Sequence, residues 1–131
     1  MAEVERTEKI TINLGPVDLG QIDLLVQEGF YSNRTDFIRT AIRNQLTTHA
    51  EVVKRTVARK TLVLGLHHYT RQDLEAVKSA GEKLQINVLG LVSIAEDVST
   101  ELALATIDSA IVLGALRASP AVKAALAGRI K

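Results

Sequence analysis

Seven residues near the front of the chain, Glu8-Lys9-Ile10-Thr11-Ile12-Asn13-Leu14, limit what the rest can become. Ile10, Ile12 and Leu14 alternate with Lys9, Thr11 and Asn13, the two-residue period of a half-buried strand. Gly15-Pro16 ends it, because proline has no N–H for a ladder and fixes its own φ. From there to about Thr48 the pattern is helical and offers no second strand. A lone strand leaves both edges with unpaired N–H and C=O groups, which proteins avoid. A second copy of the chain, strand against strand, is the simplest remedy.

Pro16 suits the first turn of a helix running to about Glu28, with Leu19, Ile22, Leu25 and Val26 on one face and Gly29 as its stop. Phe30-Tyr31-Ser32 crosses to a second helix, for which Asn33 is an N-cap and Asp36 can complete a capping box. Phe37, Ile38, Ala41, Ile42 and Leu46 form its apolar stripe; Arg34, Arg39 and Arg43 point largely elsewhere. The free N–H groups of its first turn, near Arg34 and Thr35, make an anion site favoured by the helix dipole.

Strand, Gly-Pro break, Leu-x-x-Ile-Asp-x-Leu-Val helix, then Gly29-Phe30-Tyr31-Ser32-Asn33-Arg34-Thr35-Asp36-Phe37-Ile38-Arg39 resembles a ribbon-helix-helix DNA-binding domain, closest to the bacterial CopG-like branch of the Arc/MetJ type. The resemblance covers about residues 8–48 and implies an intertwined βαα homodimer whose paired strands enter the major groove of double-stranded DNA. It implies base contacts from Lys9, Thr11 and Asn13, and a phosphate clamp at Asn33, Arg34 and Thr35. A two-stranded ribbon fits that groove, where asparagine can pair with adenine and lysine with guanine. A module this small cannot bury enough surface alone, so folding and dimerisation should be one event. Arg6, Lys54 and Arg55 are further candidates for the DNA backbone.

Composition narrows the classes. A chain of 131 residues with 47% hydrophobic and 24% charged residues suits one or two small globular domains. With 3% aromatic residues, cores must come from Leu, Ile, Val and Ala. Cysteine is absent, which removes thiolate ligands and cysteine nucleophiles and fits a reducing cytoplasm. No apolar run reaches the roughly 18 residues of a membrane span, and the polar, acidic Met1–Arg6 is unlike a signal peptide. A net charge of +1 requires any basic surface to be local.

The expected organisation is a flexible arm over 1–7, the ribbon-helix-helix unit over 8–48, a helical extension or linker over 49–60 and a second domain over 61–131. In that last part Val63-Leu64-Gly65, Val88-Leu89-Gly90 and Val112-Leu113-Gly114 repeat one tripeptide at offsets of 25 and 24 residues. Each precedes a helix-like stretch, Arg71–Lys83, Ser99–Thr106 and Pro120–Gly128. Aligned on the tripeptide, Val77, Leu102 and Leu126 share a position. One strand and one helix per unit is the signature of a stacked β–α solenoid. The fold class is therefore α+β. The apolar last unit suggests that 61–131 joins dimers into tetramers or larger assemblies. A rival arrangement, βαββαβ as in nickel-responsive regulators, lacks an obvious last strand.

His67 and His68 are neighbours on a strand and point to opposite faces, which is poor geometry for one metal ion. No glycine-rich phosphate loop, nucleophile triad or paired-carboxylate motif stands out, so neither an enzyme nor a cofactor is expected. The leading reading is a cytoplasmic, sequence-specific transcriptional repressor. The alternatives are an antitoxin-like protein that binds a partner through its C-terminal half and autoregulates, and a metal- or ligand-sensing regulator. Antitoxin tails are usually charged segments that fold on binding, whereas 61–131 is apolar and patterned.

Overall fold

The computed structural model describes residues 7–131. They fall into two compact units, one of residues 9–56 and one of residues 7–8 with 57–131.

In the first unit, α1 (Pro16–Gln27) and α2 (Arg34–Thr48) pack together; α3 (Ala50–Arg59) begins in it and ends in the second. Pro16 occupies the first turn of α1, whose missing donor costs nothing there. Gly29, at φ 86°, ends α1 in a Schellman motif: its N–H donates to the Val26 carbonyl and that of Phe30 to Leu25. The same pattern closes α3 through Thr61, whose φ of 51° is a left-handed conformation that L-residues adopt at a cost of roughly 1–2 kcal/mol. Residues 7–15 carry no helix and join no described strand in a ladder, while Arg117 at the end of β3 donates to the Glu8 carboxylate and the Thr7 carbonyl. Ile22 is the buried hydrophobic residue of this unit, while Ile10, Ile12, Leu24, Phe30 and Leu46 are each more than half exposed.

The second unit is built on a three-stranded parallel sheet, β1 (Val63–Tyr69), β2 (Leu84–Ile94) and β3 (Ile107–Arg117), in chain order. A helix follows each strand: α4 (Arg71–Ser79), α5 (Thr100–Thr106) and α6 (Pro120–Leu126). The three tripeptides meet rung for rung, Val63–Val88–Val112, Leu64–Leu89–Leu113 and Gly65–Gly90–Gly114. The βαββαβ arrangement would need an antiparallel pair, and both pairings here are parallel.

Right-handed crossovers between consecutive parallel strands set the helices on one face of the sheet. The core lies there: Ile86, Val88, Val92 and Ile94 of β2 with Leu74 of α4, Leu102 of α5 and Leu126 of α6. The other face presents the Leu64–Leu89–Leu113 rung, with Leu64 61% and Leu113 48% exposed. Leu74 is fully buried, so Leu74→Ala should cost about 2–5 kcal/mol in urea unfolding of this unit. A loss under about 1 kcal/mol would mean that α4 is not docked on the sheet.

Two details depart from the repeat as read from the sequence. First, α4 stops at Ser79 rather than Lys83, because Gly81 (φ 71°) closes a Schellman motif in which Glu82 N–H donates to Val77 C=O. Second, the middle unit inserts residues before its helix. The N-caps are Thr70, Ser99 and Ser119, so Val77 and Leu126 each stand seven places past their cap and Leu102 only three. Thr106 occupies the place matching Val77 and Leu126, fully buried with its hydroxyl donating to the Leu102 carbonyl at 2.7 Å. Finally, Ile130 forms a parallel bridge to Ala110, an extension along β3 that no strand pattern announced.

Candidate nucleic-acid interface

Lys9, Thr11 and Asn13 are all exposed, and so are Ile10 (74%), Ile12 (57%) and Leu14 (42%) between them. In a single chain this segment therefore leaves both its polar and its apolar set in water. Leu14 also lines an open cleft of about 370 Å³ with Ile22, Leu25 and Phe37, flanked by Asp18 and Gln21. At roughly 25 cal/mol per Å² of apolar surface, uncovered groups of this size favour association.

The start of α2 is built by reciprocal hydrogen bonds. Asn33 Oδ1 accepts from the Asp36 N–H at 2.8 Å, and Asp36 Oδ2 accepts from the Ser32 N–H at 2.9 Å. The reach-back bond lands one residue earlier than in the usual capping box, on Ser32 rather than Asn33. Tyr31 and Phe37 stack edge to face at 5.0 Å between ring centres and hold the turn against α2. The backbone N–H groups of Arg34 and Thr35 begin the helix, where intrahelical acceptors are lacking.

Arg34 itself is placed differently from a free phosphate ligand. Its guanidinium grips Asp23 of α1 in a fork, Nε to Oδ1 at 2.7 Å and Nη2 to Oδ2 at 2.8 Å. The Arg34 hydrogen bond, outweighing the small desolvation cost, holds the Asp23 carboxyl below its ordinary 3.8, and the pair raises Arg34 in turn. A depressed carboxylate contributes in full above its unfolded value and fades as pH falls through the lowered one, so the pair is intact at neutral pH. No local signal could have shown it, since the partners stand eleven residues apart across the turn.

Of the other candidates, Lys54 and Arg55 are exposed on α3, with Arg55 Nε donating to the Glu51 carbonyl at 3.4 Å. Arg6 lies outside the described residues. His67 is half-buried on β1 and His68 exposed. Among the described residues no three of His, Cys, Asp and Glu gather as a metal site. No helix among them is long and apolar enough to cross a membrane.

A family model, the ribbon-helix-helix transcriptional regulator family, matches residues 5–123. The chain belongs to that family. The match runs past residues 8–48 and takes in all three strands of the second unit. An uncharacterized protein of Methanocaldococcus jannaschii is 42% identical over 40 residues, 30% of this chain and 41% of that relative. The match thus spans less than half the relative's length. No solved structure matches significantly. Ribbon-helix-helix regulators as a family bind DNA and dimerise.

Proposed function

We propose that this protein is a sequence-specific DNA-binding repressor. Two chains pair their 8–14 segments as an antiparallel ribbon that enters the major groove. The observation that carries the reading is the alternation at residues 9–14: Lys9, Thr11 and Asn13 form one exposed set, Ile10, Ile12 and Leu14 another. Pairing two chains buries the apolar set, at about 1.5–3 kcal/mol for each side chain that becomes fully covered. It leaves three side chains that can hydrogen-bond or contact base edges pointing outward.

The capped start of α2 is the phosphate clamp, through the N–H groups of Arg34 and Thr35 and the Asn33 cap. The Asp23 pair makes the Arg34 guanidinium a positioning group for the α1–α2 turn rather than a free cation. Asp23→Ala releases that guanidinium. The slope of log affinity against log salt should then steepen by about 0.9 for each chain of the dimer, one extra phosphate neutralised per chain. An unchanged slope in salt-dependent binding would show that Arg34 stands away from the DNA. Lys54, Arg55 and Arg6 are supplementary backbone contacts.

Residues 61–131 act as a solenoid-like β–α domain that assembles ribbon dimers into larger units. The ordered sheet and apolar core of this half favour assembly over the antitoxin-like reading, which expects a charged tail that folds on its partner. The test is selection of bound sequences from random DNA at two salt concentrations. A recovered consensus that persists at the higher salt marks base readout. Enrichment that vanishes with salt marks phosphate contact alone and defeats the repressor reading.

A further inference from the structure

We propose that the outer edge of β1 is a pairing site for a second copy of this chain, β1 against β1 about a two-fold axis. The inference takes from the family only that a second copy is at hand. Everything else about the site comes from the sheet itself.

The two edges of the sheet are treated differently. On β3, the Ala110 N–H donates to the Arg129 carbonyl at 3.0 Å, and the Lys131 N–H donates to the Ala110 carbonyl at 2.8 Å. That edge is therefore partly covered by the chain's own C-terminal segment. The outer edge of β1 pairs with nothing among the described residues. Exposed edges are ordinarily blunted by charges, proline or a bulge. Val63–Tyr69 reads Val-Leu-Gly-Leu-His-His-Tyr and has no proline and no acidic or strongly basic residue.

Side chains on β1 are open where their rung partners are not. Val63 is 51% exposed against 3% for Val88, and Leu66 is 54% exposed against 7% for Leu91. Val63 lies on the helix-covered face and Leu66 on the other, so cover is lacking on both sides of the strand. What β2 has and β1 lacks is a further strand.

Gly65 points the same way. A Cβ at Gly90 would run into the carbonyl oxygen of Gly65, and one at Gly114 into that of Gly90. In each case the empty position faces the preceding strand and lets the two backbones approach. Gly65 has the same kind of backbone, φ 128° against 144° and 124°, and a Cβ there would meet nothing. The clearance leads off the open edge. A strand laid there meets no side chain at Gly65.

The occupant is a second copy for two reasons. A β1 edge with no formal charge does not repel its own image, and an isologous two-fold contact makes the pairing antiparallel. Each chain of a ribbon dimer brings its own β1, so edges that pair between dimers reinforce one another. Two three-stranded sheets then run on as one.

The chain has no cysteine, so single cysteines report proximity without background. Leu64→Cys, Leu66→Cys, His67→Cys and His68→Cys are oxidised mildly in the full chain, with exposed Lys78→Cys on α4 as control and Thr11→Cys as a separate reporter of the ribbon. At least one β1 variant should form covalent dimer ten or more times faster than Lys78→Cys. Those amides of β1 that point away from β2 should exchange in the unsubstituted protein as slowly as the amides of β2. If no β1 variant outpaces the control, or these outward amides exchange at once, the proposal is overturned, even where Thr11→Cys cross-links and the ribbon holds. Fast cross-linking on β1 without any at Thr11 supports the edge and removes the ribbon. Slow exchange that needs a different protein from the host extract assigns the edge to another partner and overturns it too.

Discussion

Replacing Lys9, Thr11 and Asn13 together with alanine should reduce affinity for a selected DNA site to that for random DNA. Each good base contact discriminates by about 1–3 kcal/mol, so losing three corresponds to at least about a hundredfold per ribbon strand. All three side chains are exposed in the single chain, so the folded core should not notice the change. Helical content and oligomer mass should stay at their original values. Residual binding should depend less steeply on salt, because Lys9 takes one cation per chain with it. Fluorescence anisotropy on a selected site and on a scrambled duplex reads both effects. A triple variant that still prefers the selected site would mean that some other surface reads the bases.

Gly90→Ala should be severely damaging to the second unit. Gly90 sits on the central strand at φ 144°, a region nearly closed to L-residues, and its added Cβ would overlap the Gly65 carbonyl oxygen. Backbone strain alone costs about 1–3 kcal/mol. The overlap adds to it, since backbone on a paired strand cannot step aside without breaking the ladder. The expected loss is at least about 3 kcal/mol, enough to unfold a marginal unit at 37 °C. Gly65→Ala meets the same strain without the overlap in a single chain and should be milder in unfolding experiments. Equal stability of Gly90→Ala and the parent would mean that the strands are spaced wider than this sheet requires.

Those two residues mark where local pattern suffices and where it does not. Alternation at Lys9–Leu14, the cap at Asn33 and the stop at Gly29 are carried by neighbours within a few positions, so they are legible along the chain. The tripeptide repeat was legible for the same reason, because equivalent rungs of a parallel stack impose equivalent residues. The helix alignment was less so: four residues, Ala95–Val98, lengthen the middle connection, and a fixed offset from the tripeptide cannot register an insertion. Thr106, a polar residue that ends the middle helix, is buried, because its hydroxyl is satisfied by its own helix.

By itself the sequence determined the local elements and their order: an unpartnered alternating segment, capped helices, and three β–α units marked by glycines at one rung. Periodicity, capping and turn chemistry act over a few residues, and the chain states them directly. Tertiary structure alone decided that Arg34 is held by Asp23, that all the described helices of the second unit share one face of the sheet core, and that β3 is partly covered while β1 is open among the described residues. Each of these is a meeting of groups distant along the chain. Such meetings depend on crossover hand and strand order, which no local run of residues can spell out.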